Sequence, residues 1–265
     1  MKLMTFNISH GADYELLCQT NTSPYGPICF GFSETEKLAK EPGWDRRVEE
    51  WYQSVNLEKV ARVIASEDCD IIALNELRSQ GPSPYYADQA KILGELTGRN
   101  YCFGQAVEFF GEGGYGLGIL SRYPIIETKR IEIPPLLGEN REPRIILQAV
   151  VKANREITVL NSHFGGHPQE QKNAVNTLLK VICDCKTPVI FMGDLNTTPH
   201  SGILDPLYQV MNEAFFKEAS DTFPSFCPQR KIDYIFASKS ATFSHSKVVT
   251  QVVSDHFPLV THVSF

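Results

Sequence analysis

A chain of 265 residues, 42% hydrophobic and 21% charged, has the composition of an ordinary folded protein with a sizeable core, which argues against a disordered or low-complexity chain. A formal net charge of −6, with no basic cluster longer than pairs such as Arg46 and Arg47, argues against a protein that grips long polyanions, because that binding rests on lysine and arginine displacing counterions. No apolar run reaches the roughly 20 residues of a membrane span, and seven cysteines without a CxxC pair suit reduced, buried thiols, so we expect a monomeric cytoplasmic protein, although a removed signal peptide would leave no trace.

In chain order, residues 2 to 8, KLMTFNI, read as a buried strand ending at Asn7. Residues 10 to 54 mix glycine, proline, serine and aromatics without a clear period, and are expected to form an insertion over a site near its mouth. Leu57, Val60, Ala61 and Ile64 then fall at helical spacing after an Asn56 cap, and DIIALNE, 70 to 76, reads as a strand ending in an acid. A second helix is predicted from about 84 to 97, stopped by Gly98, followed by strands in YCFGQAV, YGLGILS, PIIETKRIEI, RIILQAVV and EITVLNSHF. Pro168 opens a helix with Val175, Leu178, Leu179 and Ile182 on one face, and PVIFMGD, KIDYIFAS, ATFSHSKVV and FPLVTHVSF complete the strands. No linker divides the chain, so residues 1–265 are expected to be one domain. Strands outnumber helices and neighbour one another as hairpins, which disfavours a doubly wound parallel sheet and predicts an α+β fold of two packed sheets with covering helices.

Five predicted strand ends carry polar groups of one chemical kind: Asn7, Glu76, Asn161 with His163, Asp194 with Asn196, and Asp255 with His256. One strand ending in Asp-x-Asn is ordinary turn chemistry. Several carboxylates, amides and histidines at the mouths of neighbouring strands are costly to gather unless a cation and an anionic ligand balance them. Asp233, within I-D-Y-I-F, is an awkward buried carboxylate that a histidine partner would explain, the alternative being a backbone cap. His167 before Pro168 suits a helix cap, and His10 beside a glycine is weak evidence for a site. GEGGYG, 111 to 116, lacks the Lys-Ser/Thr ending of a phosphate-binding P-loop and reads as a hairpin.

TFNI at 5 to 8, LNEL at 74 to 77, GILSRYP at 118 to 124, NSHF at 161 to 164, GDLN at 193 to 196, KIDYIF at 231 to 236 and SDHFPL at 254 to 259 together resemble the ordered motif set of the endonuclease/exonuclease/phosphatase superfamily. That resemblance implies a four-layer α/β/β/α sandwich, with two mainly antiparallel sheets flanked by helices, and hydrolysis of phosphate esters with Mg²⁺ or Mn²⁺. It implies Glu76 as the main metal carboxylate, helped by Asn7 and Asp255; Asp194 and Asn196 as the pair that positions the attacking water; and His256 as general base or as the cation steadying the transition state, with Asp233 fixing its tautomer. His163 resembles the histidine that contacts a phosphate oxygen, and Arg144 sits where a phosphate-binding arginine is often found. Asn161 is either a phosphate contact or a structural amide, and Tyr115 is expected to face the cleft. Asn75 stands where the family often has Gln, and Lys231 where Arg is common.

The expected activity is metal-dependent hydrolysis of a phosphodiester by in-line attack of water, with a small or lipid-derived substrate favoured by the acidic balance of the chain. DNA or RNA cleavage is the alternative. A catalytically dead phosphate-binding module is a third reading, disfavoured because no member of the residue set is missing.

Overall fold

The computed structural model describes residues 1–15, 55–79, 87–108, 113–136, 141–215 and 220–265. Of the expected insertion, residues 16–54 lie outside the described residues, as do 84–86 at the start of the second predicted helix and 111–112 of the glycine-rich stretch. Twelve strands appear among the described residues, in two six-stranded sheets.

The first sheet contains β1 (Lys2–Asn7), β2 (Ile71–Arg78), β3 (Asn100–Glu108), β4 (Gly114–Ser121), β11 (Thr242–Val248) and β12 (Leu259–Ser264), in the order β11-β12-β1-β2-β4-β3. The second contains β5 (Ile125–Glu132), β6 (Ile145–Lys152), β7 (Glu156–His163), β8 (Val189–Asp194), β9 (Met211–Glu213) and β10 (Asp233–Ser238), in the order β5-β6-β7-β8-β10-β9. Each sheet is antiparallel except for one central pair, β1 with β2 and β7 with β8. A parallel pair needs a crossover. That of the second sheet contains α3 (Pro168–Asp184), and that of the first contains α1 (Leu57–Glu67). The mainly antiparallel sandwich expected from the strand count is therefore correct, with a mixed centre in each sheet.

Side-chain alternation builds the layers. Leu3, Ile71, Ala73, Val159, Ile190, Met192, Ile235 and Ala237 point between the sheets and form one buried core. Their strand neighbours Met4, Phe6, Ile72 and Leu74 face the other way, onto α1 and α2 (Gln89–Thr97). Likewise Leu160, Phe191, Tyr234 and Phe236 pack under α3 and α4 (Asp205–Val210). The result is four layers, α/β/β/α.

The helix signals hold locally. Asn56 caps α1 by accepting from the Lys59 amide at 3.2 Å, and α2 begins at Gln89, behind an Asp88 cap, later than the predicted 84. His167 caps α3 in a reciprocal box with Glu170. The short elements α4 and β9 carry too few residues for a periodic pattern and were not predicted from sequence. No described helix is long and apolar enough to cross a membrane.

Lys2 on β1 and Lys247 on β11 both reach Glu67 at the end of α1. Burial alone would raise the Glu67 carboxyl, but hydrogen bonds from Lys247 and Lys2 outweigh it and hold it below its ordinary value. Its contribution to stability is thus present above about pH 4.5 and lost as pH falls through the lower folded value. Glu67→Gln is expected to cost up to about 1 kcal/mol at pH 7, with the gap from wild type closing below pH 4.5, as read by denaturant titration at several pH values. A gap constant from pH 7 to 3 would remove this role.

Candidate active site

The central parallel pairs end at the same rim of the sandwich. Asn7 pairs with Asn75 at the ends of β1 and β2, and His163 pairs with Asp194 at the ends of β7 and β8. Antiparallel β10 starts there, with Asp233 opposite Asp194. Asn7, Asn75, Asn161, His163, Asp194 and Asp233 all share the alternation of the inter-sheet core, so the apolar layer simply becomes polar at its end.

Glu76 breaks that alternation. By period two it would join Ile72 and Leu74 beneath the helices, but a bulge between Leu74 and Leu77 adds one residue to β2, and Glu76 takes a left-handed φ of 61°. Its Oε1 accepts from Asn7 Nδ2 at 3.0 Å, and Oε2 lies 3.5 Å from His10 Nε2. The backbone departure thus turns a helix-facing position into the site.

Asp194 is the hub. Its Oδ2 accepts from Asn7 Nδ2 at 3.1 Å and lies 3.5 Å from His163 Nε2 and 3.6 Å from His256 Nε2. Its Oδ1 accepts the Asn196 amide at 2.9 Å, closing the Asp-x-Asn turn with Asn196 at a φ of 47°. Gly193 is required beside it, because at its φ of 147° a Cβ would sit 1.9 Å from the Ser162 carbonyl across the parallel pair. The Asn196 amide nitrogen donates to the Phe164 carbonyl at 2.9 Å and faces His163 Nε2 at 3.0 Å.

On the far side, Asp233 Oδ2 accepts from His256 Nδ1 at 2.8 Å and from Thr222 Oγ1 at 2.5 Å, while its Oδ1 is buried with no hydrogen-bond partner among the described residues. Asp233 thus meets the histidine expected for it. Burial alone would discharge the His256 ring, yet Asp233 and Asp194 hold it protonated, raising it to about 10. Burial drives the opposite shifts elsewhere. Asp194 is pushed up to about 6, and Glu76 to about 7, the latter helped by the charge of Asp255. Asp255 is itself raised by burial. His163 is driven well below its ordinary value by burial and by Arg144, so it is neutral.

Asn161 lies behind this rim. Fully buried, it donates to the carbonyls of Leu74 at 2.8 Å and Gly118 at 2.9 Å in the first sheet and accepts from Asn75 Nδ2 at 3.1 Å. Its amide is spent joining the sheets, which favours the structural amide of the two readings over the phosphate contact. Asn161→Ala is therefore expected to destabilise the protein by about 2–4 kcal/mol, as three buried partners lose their bond. Chemical denaturation measures this, and a loss below about 0.5 kcal/mol would return Asn161 to the ligand side.

Asn75 supplies what a sequence reading treats only as a departure. It donates to Ser162 O at 3.1 Å and accepts the Asp194 amide at 3.3 Å, pinning the end of β2 to β7 and β8. Tyr115, Arg144 and His163 line one narrow cleft beside the rim, with Glu142. Arg144 pairs with Glu142 at 3.2 Å, and Tyr115 lies between Arg78 and His10, 5.3 and 5.4 Å from its ring centre.

Residues 4–256 match the Endonuclease/Exonuclease/phosphatase family. The chain belongs to this family. Its fold is similar to that of a mannosyl-6-phosphatase from Bacteroides thetaiotaomicron, at 17% identity and a TM-score of 0.72 over 100% of both chains. It is similar as well to a functionally unknown conserved protein from Enterococcus faecalis, at 19% identity and a TM-score of 0.71 over 100% of this chain and 99% of the other. The human nocturnin catalytic domain, with a bound sulfate anion, matches at 15% identity and a TM-score of 0.64 over 100% of this chain and 94% of its own. At these identities the likeness is one of fold. Members of this family are hydrolases of the phosphatase and nuclease kind, and this chain has their phosphoesterase fold.

Two groups of residues offer metal donors. Asp194, Asp233 and His256 present ligand atoms all within 4.8 Å of one another. The second group is the carboxyl pair Glu76 and Asp255, in which burial and the Asp255 charge work against ionisation of Glu76; Asn7, expected as a third ligand, turns its Nδ2 to Glu76 and Asp194 and its Oδ1 to the Ser9 amide at 3.0 Å. A divalent cation of the Mg²⁺ type fits that chemistry, since it takes one or two carboxylates and keeps waters for the rest.

Proposed function

We propose that this protein is a divalent-metal-dependent phosphodiesterase acting on a small or lipid-derived phosphodiester. One observation carries the reading: the carboxyl groups of Glu76, Asp194, Asp233 and Asp255 gather around His256 with burial opposing the ionisation of Glu76, Asp194 and Asp255, an acid-rich rim whose charge a divalent cation would balance. Arg144 is paired with Glu142 at 3.2 Å and is not free to meet the reacting phosphate, which favours a singly charged diester over a dianionic monoester at that position.

Glu76 and Asp255 would hold the cation, with the Asn7 amide orienting Glu76 by its hydrogen bond, and the cation when bound supplies Lewis-acid charge to a phosphate oxygen. The closer-set Asp194, Asp233 and His256 are assigned to proton handling instead, because a protonated imidazole has no lone pair for a metal. Asp194, lifted to about 6, takes the proton of the attacking water. Asn196 orients that water, its amide steadied by neutral His163. His256, held charged by Asp233, lies 3.6 Å from Asp194 and offers its positive edge to the negative charge that develops on the phosphoryl oxygens. Of the two roles open to His256 in sequence, the cation is the one its environment favours.

The segment from 16 to 54 is proposed to border the mouth. The described residues on either side support this: Asn56 N donates to Gly11 O at 2.8 Å, Ala12 bridges Val55, and His10 lies against Glu76.

The test is a screen of bis(p-nitrophenyl) phosphate, p-nitrophenyl phosphate and plasmid DNA with Mg²⁺ or Mn²⁺. Expected is diester hydrolysis that stops with chelator, returns on adding metal, and exceeds monoester hydrolysis. Salt-sensitive DNA cleavage that outruns the diester would overturn the small-substrate assignment. No turnover of any of them would remove the enzyme.

A further inference from the structure

Beside His256 the rim carries a column of side chains that the proposed chemistry does not use. Phe223 packs tilted against the imidazole, 4.8 Å between ring centres, and the guanidinium of Arg230 lies over the Phe223 ring, 4.9 Å from its centre. The loop that carries both is stitched to the site: Thr222 bonds Asp233, Ser225 N donates to Asp255 O at 2.8 Å, and Phe257 N donates to Thr222 O at 2.8 Å. Phe223 and Arg230 also face each other in a backbone bridge, which fixes the stack at both ends.

Arg230 is exposed, and no described carboxylate pairs with it. It differs in this from Arg144, which is held by Glu142, and from Arg78, which is buried. An arginine held over an aromatic ring, with no described carboxylate on its donors, has already lost part of its side-chain freedom, so an incoming anion orders less. The guanidinium carbon lies no farther from the His256 ring centre than 4.8 Å and 4.9 Å laid end to end. The two phosphates of a nucleoside 3′,5′-bisphosphate fit within that span.

We infer that Arg230, placed by Phe223, recognises a second phosphate on the substrate, so that the preferred ester is a small phosphodiester carrying a further phosphate group near the scissile one. The inference rests on the phosphodiesterase reading above and adds the chemistry of the group next to the reacting phosphorus. Planar, bidentate recognition is what arginine offers a phosphate and what the neutral end of an ordinary diester would leave unused. The acidic balance of the chain favours a lone small compound over the neighbouring phosphate of a polymer.

Two chromogenic probes separate the outcomes: thymidine 5′-(p-nitrophenyl phosphate), and the same compound bearing a 3′-phosphate. Wild type is expected to prefer the second by about tenfold in kcat/KM, and Arg230→Gln to shrink that preference about fivefold, the scale of a charge-assisted bond at an exposed site. Arg230→Lys is expected to restore only part of it, since the charge remains and the planar, bidentate donor set is lost. Absence of preference in wild type, or an Arg230→Gln loss that falls equally on both probes, overturns the inference while leaving the phosphodiesterase standing. Failure of wild type to cleave either probe removes both. Oligothymidylate added as competitor is expected to inhibit no better than thymidine 3′,5′-bisphosphate; inhibition at a hundredfold lower concentration would assign the second phosphate to a polymer and overturn the small-compound form.

Discussion

His256→Gln is expected to lower kcat/KM toward a phosphodiester about a thousandfold, the scale of losing a positioned proton-handling group together with its charge. Glutamine keeps a donor for Asp233 and much of the ring's volume, so the change removes the charge more than the packing. The charge matters because of where it stands. His256 Nδ1 is tied to Asp233 at 2.8 Å, which leaves Nε2 3.6 Å from Asp194 Oδ2, so in the proposed mechanism the charge sits beside the group that takes the proton of water. Asp233→Asn keeps an oxygen near the ring but removes the negative charge that holds it protonated, and is expected to cost about a hundredfold. Both variants are to be compared at matched folding, read by thermal midpoint. Losses under tenfold for both would take His256 out of the reaction.

Glu76→Gln separates the metal from the fold. In chelator the wild-type protein must keep Glu76 beside Asp255 with burial and mutual repulsion opposing ionisation. Glutamine removes that repulsion while its oxygen can still accept from Asn7, so the metal-free variant is expected to be more stable than wild type by about 1–3 kcal/mol at neutral pH. Addition of Mg²⁺ at about a hundred times its dissociation constant should stabilise wild type by about 2–3 kcal/mol. The variant should gain little and lose activity by about a thousandfold or more. Thermal melts with and without Mg²⁺ read all of this. A variant that responds to Mg²⁺ as wild type does would move the cation away from Glu76, and the group of Asp194, Asp233 and His256 would then have to hold it.

Much of this site can be read from strand ends. Asn7, His163, Asp194 and Asp233 each continue a period-two pattern whose apolar members face between the sheets, so their common face follows from alternation alone. The partners do not follow. Asn7 meets Asp194 across 187 residues of sequence, and Asn75 meets Asn161 across 86. Such contacts depend on which strands are central and which pairs run parallel.

Local pattern therefore determined the element types, the inward faces and, through the motif set, the family. Tertiary structure decided the rest where alternation is broken or a group is shared. The bulge at Glu76 reverses the face that period two assigns to it, and no propensity marks that position in advance. Asn161 has the chemistry of a ligand, but the two sheets close over it and use its amide for their own backbone carbonyls. Arg230 and Phe223 look like ordinary loop residues until the loop is laid against His256. In each case the reason is the same: the energy of a buried polar or charged group depends on what surrounds it, and the surroundings are assembled from distant parts of the chain.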